Sequence, residues 1–341
     1  MLKSSMNMED FYMSNFLANI LIFDVYNVWY RVIWKNDNLT KVDDKLVPID
    51  AICKFFELTD SYISKFGTND CKVFYLFDNA KTSILKNRKL LDEEYKKNRK
   101  VQPDYFYDGL NMIELILKFY RDNSCIYRKQ GCEADDYVLP IIDNYVKEHD
   151  KVMMFSTDID WCRALLSDEE HDIKVVQYTK GNEILSTKTF AEKFGFKPTV
   201  TNVTFWKTFY GDESDHILPT LKNYPKQYFL DVLKKYNHVD GFINDALDGK
   251  LPYLDMAWRI NIKQLQERMR LNWNLISSAD ISINDMEQWK VECSYKPNKL
   301  LIIYSTLNVV GRFDKRVKVE TKSDSIWNML NGETLNRANA E

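Results

Sequence analysis

The chain has 341 residues, enough for about two domains, and its 45% apolar and 28% charged content excludes the disordered and fibrous classes. Lys and Arg total 47 against 50 Asp and Glu, a net charge of −3, which excludes a uniformly basic nucleic-acid-binding coat but leaves room for a local basic patch. Six Cys without CxxC spacing and four scattered His form no zinc pattern, and reduced thiols in a cytoplasmic setting are expected.

Residues 1–16 read as an irregular or helical leader. The most apolar stretch, Phe16 to Tyr30, is interrupted by Asn19, Asp24 and Asn27. It falls short of the roughly 20 apolar residues that span a bilayer, and its early polar content does not suit a cleaved signal. No membrane association is expected. Within that stretch, Ile20 to Phe23 reads as a buried parallel strand ending in Asp24. Val73 to Phe77 repeats the pattern and ends in Asp78. Lys151 to Phe155 precedes Ser156, Thr157 and Asp158, and Ile173 to Gln177 is a fourth run. Helical patterns fall at about 48–66, 84–100, 108–122 and 134–148. This alternation predicts an α/β fold with a mainly parallel central sheet flanked by helices. After about residue 200 the texture changes to short helices rich in Lys, Tyr and Asn, at about 225–236, 239–247 and 255–270. Asn298 to Ser305 carries an apolar run compatible with a late strand, and the tail from about 312 is charged.

In open parallel sheets, ligands bind beyond the carboxyl ends of the strands. One Asp after a strand is ordinarily a turn or helix cap. Three in one sheet call for another explanation. Nine acidic residues stand at element edges: Asp24, Asp78, Glu133, Asp135, Asp136, Asp158, Asp160, Asp212 and Asp215. Glu133 and Asp136 share a helix face, with Asp135 at the same helix end. Asp158 and Asp160 point to one side of an extended segment, and Asp212 and Asp215 share a face if helical. Acidic residues also favour helix N-termini for the dipole alone. Clustered carboxylates repel one another unless cations neutralise them. Mg²⁺ takes oxygen ligands, and two such ions about 4 Å apart serve phosphodiester hydrolysis.

From Lys86 to Lys100 seven basic residues stand against three acidic ones. Such a run is ordinarily a solvated helix face. Here it follows the Asp78 strand, where Lys and Arg would meet a phosphate backbone.

Six segments carry a resemblance in chain order. They are Asp24-Val-Tyr-Asn27, Phe77-Asp78-Asn79, Arg88 with Tyr95-Lys-Lys-Asn-Arg99, Gly131-Cys-Glu-Ala-Asp-Asp136, Ser156-Thr-Asp-Ile-Asp160, and Gly211-Asp-Glu-Ser-Asp215. Together they resemble the structure-specific 5′-nuclease superfamily, which holds flap endonucleases and phage 5′→3′ exonucleases. The T-even phage ribonuclease H type is most similar. The likeness covers about residues 18 to 220. It implies one metal held by Asp24, Asp78, Glu133 and Asp135, and a second near Asp135, Asp158, Asp160 and Asp212. Asp136 and Asp215 would be outer carboxylates. It implies two Mg²⁺ ions, with Mn²⁺ able to substitute.

The basic run would form an arch at about 84–122. Lys96 and Arg99 would contact the scissile phosphate, and Arg88, Lys89 and Lys97 would supply further nucleic-acid contacts. Implied substrates are DNA with a 5′ flap or 5′ end and RNA–DNA hybrid. Implied partners are a single-strand-binding protein or clamp, and the expected state is a monomer. The resemblance divides the chain into a PIN-like catalytic domain (1–200), a helical DNA-binding region resembling a degenerate helix-hairpin-helix (201–290) and an extension of unknown role (291–341). No polymerase sequence is present, so a stand-alone nuclease acting in phage replication within the host cytoplasm is expected.

The sequence departs from the pattern in two places. Ile159 stands where the family has Lys, between Asp158 and Asp160. After Asp215 the family's glycine-rich duplex-gripping hairpin is replaced by His216-Ile-Leu-Pro219 and a stretch from Leu221 to Gln227 without glycine. Duplex contacts would then fall to side chains such as Lys222, Lys226, Lys234 and Lys235. Competing readings are a non-catalytic scaffold of the same fold, a PIN-type ribonuclease, and a haloacid-dehalogenase-type phosphatase. The scaffold requires carboxylate losses that are not seen, and PIN chains lack the basic helix. The phosphatase needs an Asp where Tyr26 stands.

Overall fold

The computed structural model describes residues 16–35, 38–42, 45–78, 88, 90–179, 181, 183–277 and 281–307. Strand β1 (Ala18–Asp24) leads into helix α1 (Val25–Ile33), then the small hairpin β2 (Thr40–Val42) and β3 (Lys45–Val47). Helix α2 (Ile49–Phe66), β4 (Gly67–Leu76), α3 (Asp104–Tyr120), β5 (Ser124–Tyr127), α4 (Ala134–Tyr145) and β6 (Lys151–Phe155) follow. A 3-10 helix (Ile159–Ala164), β7 (Leu166–Asp168), β8 (Ile173–Tyr178) and β9 (Ile184–Leu185) complete the α/β portion.

The sheet order is β5-β4-β1-β6-β8 for its parallel part, with antiparallel β7 and β9 on β8. The four apolar runs expected as parallel strands form β1, β4, β6 and β8. In β1, Leu21 and Phe23 enter one core cluster, while Ile20 and Ile22 enter the other. Both faces are therefore covered, and the strand reads as one continuous apolar run. On the first face lie Trp29, Phe55, Phe56, Phe106 and Ile113; on the second lie Tyr137, Trp161, Phe205, Phe209 and Phe242.

The second face also receives the later helices: α5 (Thr187–Phe194), α6 (Val200–Tyr210), α7 (Lys226–Lys235), α8 (Val239–Leu247) and α9 (Met256–Ile276). Helix α10 (Ile283–Trp289) leads into β10 (Lys290–Cys293), which pairs antiparallel with β5 and covers that edge. Helix α11 (Pro297–Thr306) then packs on α3. None of the described helices is long and apolar enough to cross a membrane.

Three expectations need correction. The run from Asn298 to Ser305 is helical, not a strand: Pro297 opens the helix, and Leu300, Ile303 and Tyr304 are buried at helical spacing. The described part of the stretch 84–122 is not one continuous helix. Helix α3 carries Phe106, Leu110 and Ile113 into the core, at no more than 3% exposure. Residues 93–98 are turns and not the expected helix, because Asp92 caps the Glu94 amide (2.9 Å) and Lys96 takes a positive φ of 55°. Finally, a boundary at 290 would cut β10 from the helix that feeds it, so the following residues up to Leu307 belong to the sheet and its first face.

Candidate metal centre

The carboxylates collect where the parallel strands end. Asp24 closes β1 and caps α1, accepting from the Asn27 amide (2.9 Å) and the Ser156 hydroxyl (2.7 Å). Asp78 lies two residues beyond β4 and accepts from the Ala134 amide (2.6 Å), the first residue of α4. Asp158 follows β6 and caps the 3-10 helix, accepting from the Asp160 amide (2.9 Å). Glu133 is the N-cap of α4 and forms a capping box with Asp136, whose carboxylate accepts from the Glu133 amide (2.9 Å). Asp136, 1% exposed, is thereby turned toward the helix cap, with its other oxygen 3.6 Å from Arg88. Asp212 and Asp215 sit in a turn closed by the Asp212–Ile217 bridge. Gly211 precedes them at φ 80°, and a Cβ there would lie 2.6 Å from the Ile217 carbonyl, so only glycine fits.

A single cleft is lined by Glu133, Asp135, Asp158, Asp160, Asp212 and Asp215 together with Arg88, Tyr95, Lys96 and Lys207. Asp24 and Asp78 lie beside it, close enough for Asp24 and Glu133 to act on the charge of Asp78. The nine carboxylates named from the sequence thus converge.

Their electrostatics divide them. Burial, reinforced by Asp24 and Glu133, pushes Asp78 up to about 7. Burial likewise lifts Asp24 to about 6 and, with Asp160 adding repulsion, Asp158 to about 6. Asp135 is raised well above the carboxylate range by burial and by Asp136 and Glu133. Against the same burial, Lys96 and Arg88 hold Glu133 low, and Arg163 and Lys207 hold Asp160 low. Lys207 also holds Asp212 low.

Hard divalent cations fit this donor set. The carboxylate oxygens of Asp160, Asp212 and Asp215 lie within 4.8 Å of one another, and an added positive charge would favour the ionised form of the raised group of Asp24, Asp78, Asp135 and Asp158.

One prediction follows from the raised group. An unfolded Asp titrates near 3.9, whereas Asp24, Asp78 and Asp158 hold their protons to about 6 or 7 in the fold. Between those values the folded state binds more protons, so stability falls as pH rises. With EDTA, Tm is expected to drop by about 4 °C from pH 5 to pH 7.5, for a loss on the order of 3 kcal/mol. Added Mg²⁺ should reverse most of that drop. Scanning calorimetry at both pH values checks it, and a metal-free Tm that rises over this range counts against the assignment.

The basic residues meet the carboxylates unevenly. Lys96, 6% exposed, places Nζ 2.6 Å from Glu133 and 3.5 Å from Asp215. Arg99 is half-exposed at the mouth and reaches Asp215 at 2.7 Å. Arg88, expected as a further nucleic-acid contact, is 7% exposed. Its guanidinium is engaged within the protein by Glu133 (3.0 Å) and the Ser277 carbonyl (3.1 Å), so it acts as an internal strut. Lys97 is exposed and pairs with Glu94 at 2.6 Å. Lys222 and Lys226 are exposed and do not line the cleft. Lys89 lies outside the described residues. His216 sits 3.7 Å from Glu94, away from the carboxylates that define the cleft.

Sequence reasoning missed two buried cations. Lys207 spans Asp160 (2.6 Å) and Asp212 (2.5 Å), and Arg163 reaches Asp160 at 2.9 Å. Lys207 had a signal: it is a lone cation among Val203, Phe205 and Phe209 on α6, five residues before Asp212. A Lys in such a setting is buried only if paired. Arg163, three residues after Asp160, carried a weaker version of the same signal.

A mainly parallel sheet with an acidic cleft at its carboxyl ends, crossed by buried Lys and Arg, suits metal-assisted chemistry on phosphate esters. The family model for the 5′-3′ exonuclease N-terminal resolvase-like domain matches residues 19–195, and the chain belongs to that family. No curated protein sequence matches. Among solved structures, a mutant of bacteriophage T5 5′-exonuclease is similar at TM-score 0.52 and 16% identity, over 88% of this chain and 98% of that one. A T5 protein co-crystallised with metal ions gives TM-score 0.55 and 18% identity, over 87% and 97% of the two chains. A T5 flap endonuclease in complex with DNA and metal ions gives 0.54 and 17%, over the same shares. At these identities the likeness is one of fold. The family match makes the chain a 5′ nuclease.

Proposed function

We propose that the chain is a Mg²⁺-dependent 5′→3′ exonuclease and flap endonuclease that removes RNA primers or 5′ flaps during phage DNA replication. The observation that carries this reading is the convergence of six carboxylates with Lys96 and Lys207 in one cleft at the strand ends, with Asp24 and Asp78 beside it. The T5 relatives, solved with metal ions and in one case with DNA, support the metal and the substrate class. Asp24, Asp78, Glu133 and Asp135 would hold one ion, and Asp158, Asp160 and Asp212 a second shared with Asp135. Such ions supply activation of water and stabilisation of the leaving oxygen.

The chain's own residues do the rest. Lys96, buried among acids, supplies a fixed positive charge where the scissile phosphate must approach them. Arg99 offers a guanidinium fork at the mouth, suited to phosphate oxygens. Lys207 fixes Asp160 and Asp212 relative to each other and keeps both ionised. Asp136 fixes Glu133 through the capping box.

The first helix adds an aromatic row. Tyr30 and Trp34 are exposed, 5.6 Å apart between ring centroids, and both lean on Phe106. Tyr26, one turn earlier on the same helix, feels the charges of Asp78 and Arg99, so the row runs outward along the helix from the site. Exposed rings beside a phosphate site suit base stacking, worth about 1–3 kcal/mol per base. The double variant Tyr30→Ala, Trp34→Ala is expected to weaken binding of a 5′-flapped duplex roughly tenfold. Fluorescence anisotropy checks this, and unchanged affinity removes the row from the substrate path.

The functional reading is tested on 5′-labelled substrates with Mg²⁺: a 5′-flapped duplex, an RNA-primed duplex, a 3′-flapped duplex and a closed circle. Cleavage of the first two alone is the expected result. Cleavage of the closed circle, or of none, would overturn it.

A further inference from the structure

Helix α9 touches both halves of the site, and its last residues, Leu275 and Ile276, line the cleft beside the carboxylates. Near its C-terminal end the Asn272 amide, 0% exposed, donates to the Leu218 carbonyl (2.8 Å) and the Thr208 carbonyl (3.3 Å). That holds the segment running from α6 through the Asp212–Asp215 turn. Just beyond the helix, the Ser277 carbonyl accepts from Arg88. One turn earlier than Asn272, Arg268 donates to Asp92 Oδ2 at 2.7 Å, with the Asp92 side chain only 10% exposed. The other oxygen of Asp92 caps the turn that carries Tyr95 and Lys96.

That turn needs holding. Lys96 lies in the left-handed region at φ 55°, which costs about 1 kcal/mol or more for a residue with a Cβ. Three contacts hold it beside the ion pairs of Lys96 and the hydrogen bonds of the Tyr95 hydroxyl and Asn98. Its amide donates to the Asp215 carbonyl (2.9 Å). Tyr95, 1% exposed, inserts among Ile217, Leu275 and Ile276, two of which belong to α9. Arg268 anchors Asp92.

We infer that α9 is the strut by which the helical region positions Lys96, and that Arg268 is its positioning residue, acting through Asp92. The inference rests on the catalytic reading of Lys96. Arg268 touches none of the metal-binding carboxylates in the structure. Its effect is carried by the Asp92 turn, so its loss should slow the chemical step while leaving substrate affinity in place. The exposed N-terminal half of the same helix, with Lys263, makes α9 the element through which an engaged duplex would be felt at the turn.

The test compares Arg268→Ala, Arg268→Lys, Asp92→Asn and Arg270→Ala in the full chain. Asp92→Asn keeps the capping oxygen and weakens the ion pair. Arg270, which pairs with Asp240, controls for damage to α9 itself. Single-turnover rate on a 5′-flapped duplex, Kd for that duplex, and hydrogen exchange of residues 92–99 are read. Arg268→Ala and Asp92→Asn are each expected to lower the rate roughly tenfold with Kd within about twofold and faster exchange of the turn. Their combination should do no worse than either alone. Arg268→Lys should recover part of the rate, and Arg270→Ala should leave the turn's exchange unchanged.

Added to Lys96→Ala, the Arg268→Ala change should cost nothing more. Full additivity there, or a Kd that weakens in step with the rate while exchange is unchanged, overturns the inference. If the wild type cleaves nothing, the catalytic reading fails instead, and the exchange data still decide whether Arg268 holds the turn.

Discussion

Asp135→Asn is expected to remove essentially all Mg²⁺-dependent cleavage, a loss of roughly 10⁴-fold, or about 5.5 kcal/mol of transition-state stabilisation. Asp135 stands between the Glu133–Asp136 cap and Asp160, and it feels the charges of all three. It is the carboxylate that the two proposed ligand sets share. A neutral amide keeps the shape but removes a ligand charge from each. The fold should survive, because the carboxyl is already disfavoured as a charge by its burial, so Tm in EDTA should not fall. Initial rates on a 5′-flapped duplex and Mn²⁺ titration by calorimetry check the two halves. A variant that keeps a tenth of the activity would show that Asp135 is not shared.

The second large effect separates the two buried lysines. Lys96→Ala is expected to lower the single-turnover rate by roughly 10²–10³-fold, in line with removal of one preorganised charge from an active site. Mn²⁺ affinity in that variant should rise or hold, since Glu133 and Asp215 lose a competing cation. Lys207→Ala is expected to act on the metal site first. Asp160 and Asp212 lose the cation that bridges them at 2.6 Å and 2.5 Å, and Tm should fall by several degrees because like charges are left close together. Rate against Mn²⁺ concentration distinguishes them: saturating metal should restore Lys207→Ala in part and Lys96→Ala not at all. Equal rescue of both would assign them the same role.

Much of this site was legible in the chain because its acids occupy forced positions. Asp24, Asp78 and Asp158 each follow a short apolar run that alternates along the chain with longer helical patterns, which favours doubly covered strands, and the carboxyl ends of such strands share one edge of the sheet. Glu133, Asp135 and Asp136 open a helix, so their placement followed from capping chemistry. The arch was harder. The charge pattern from Lys86 to Lys100 looks helical, yet the Asp92 cap and the Tyr95 insertion bend residues 93–98 into turns. Tertiary packing overrode local propensity there.

Arg88 turns inward for a related reason. Composition reports that a cation is present but not which way it points, and Glu133 draws this one inward. The late run at Leu300–Tyr304 failed on period: a short apolar block is ambiguous between strand and helix until its neighbours are known. Lys207 and Arg163 were missed because attention to acids left the cations that hold them unexamined, although a lone Lys inside an apolar helix was visible on α6.

The most direct measurement is cleavage of a 5′-labelled flapped duplex by wild type and Asp158→Asn, each with Mg²⁺ and with EDTA. Asp158 follows β6, is lifted to about 6 by burial and Asp160, and lines the cleft. Short 5′ products from the wild type with Mg²⁺, and from no other arm, are the expected result. Tight duplex binding without cleavage in the wild-type Mg²⁺ arm, or equal cleavage in EDTA, would contradict the account of a metal-dependent 5′ nuclease.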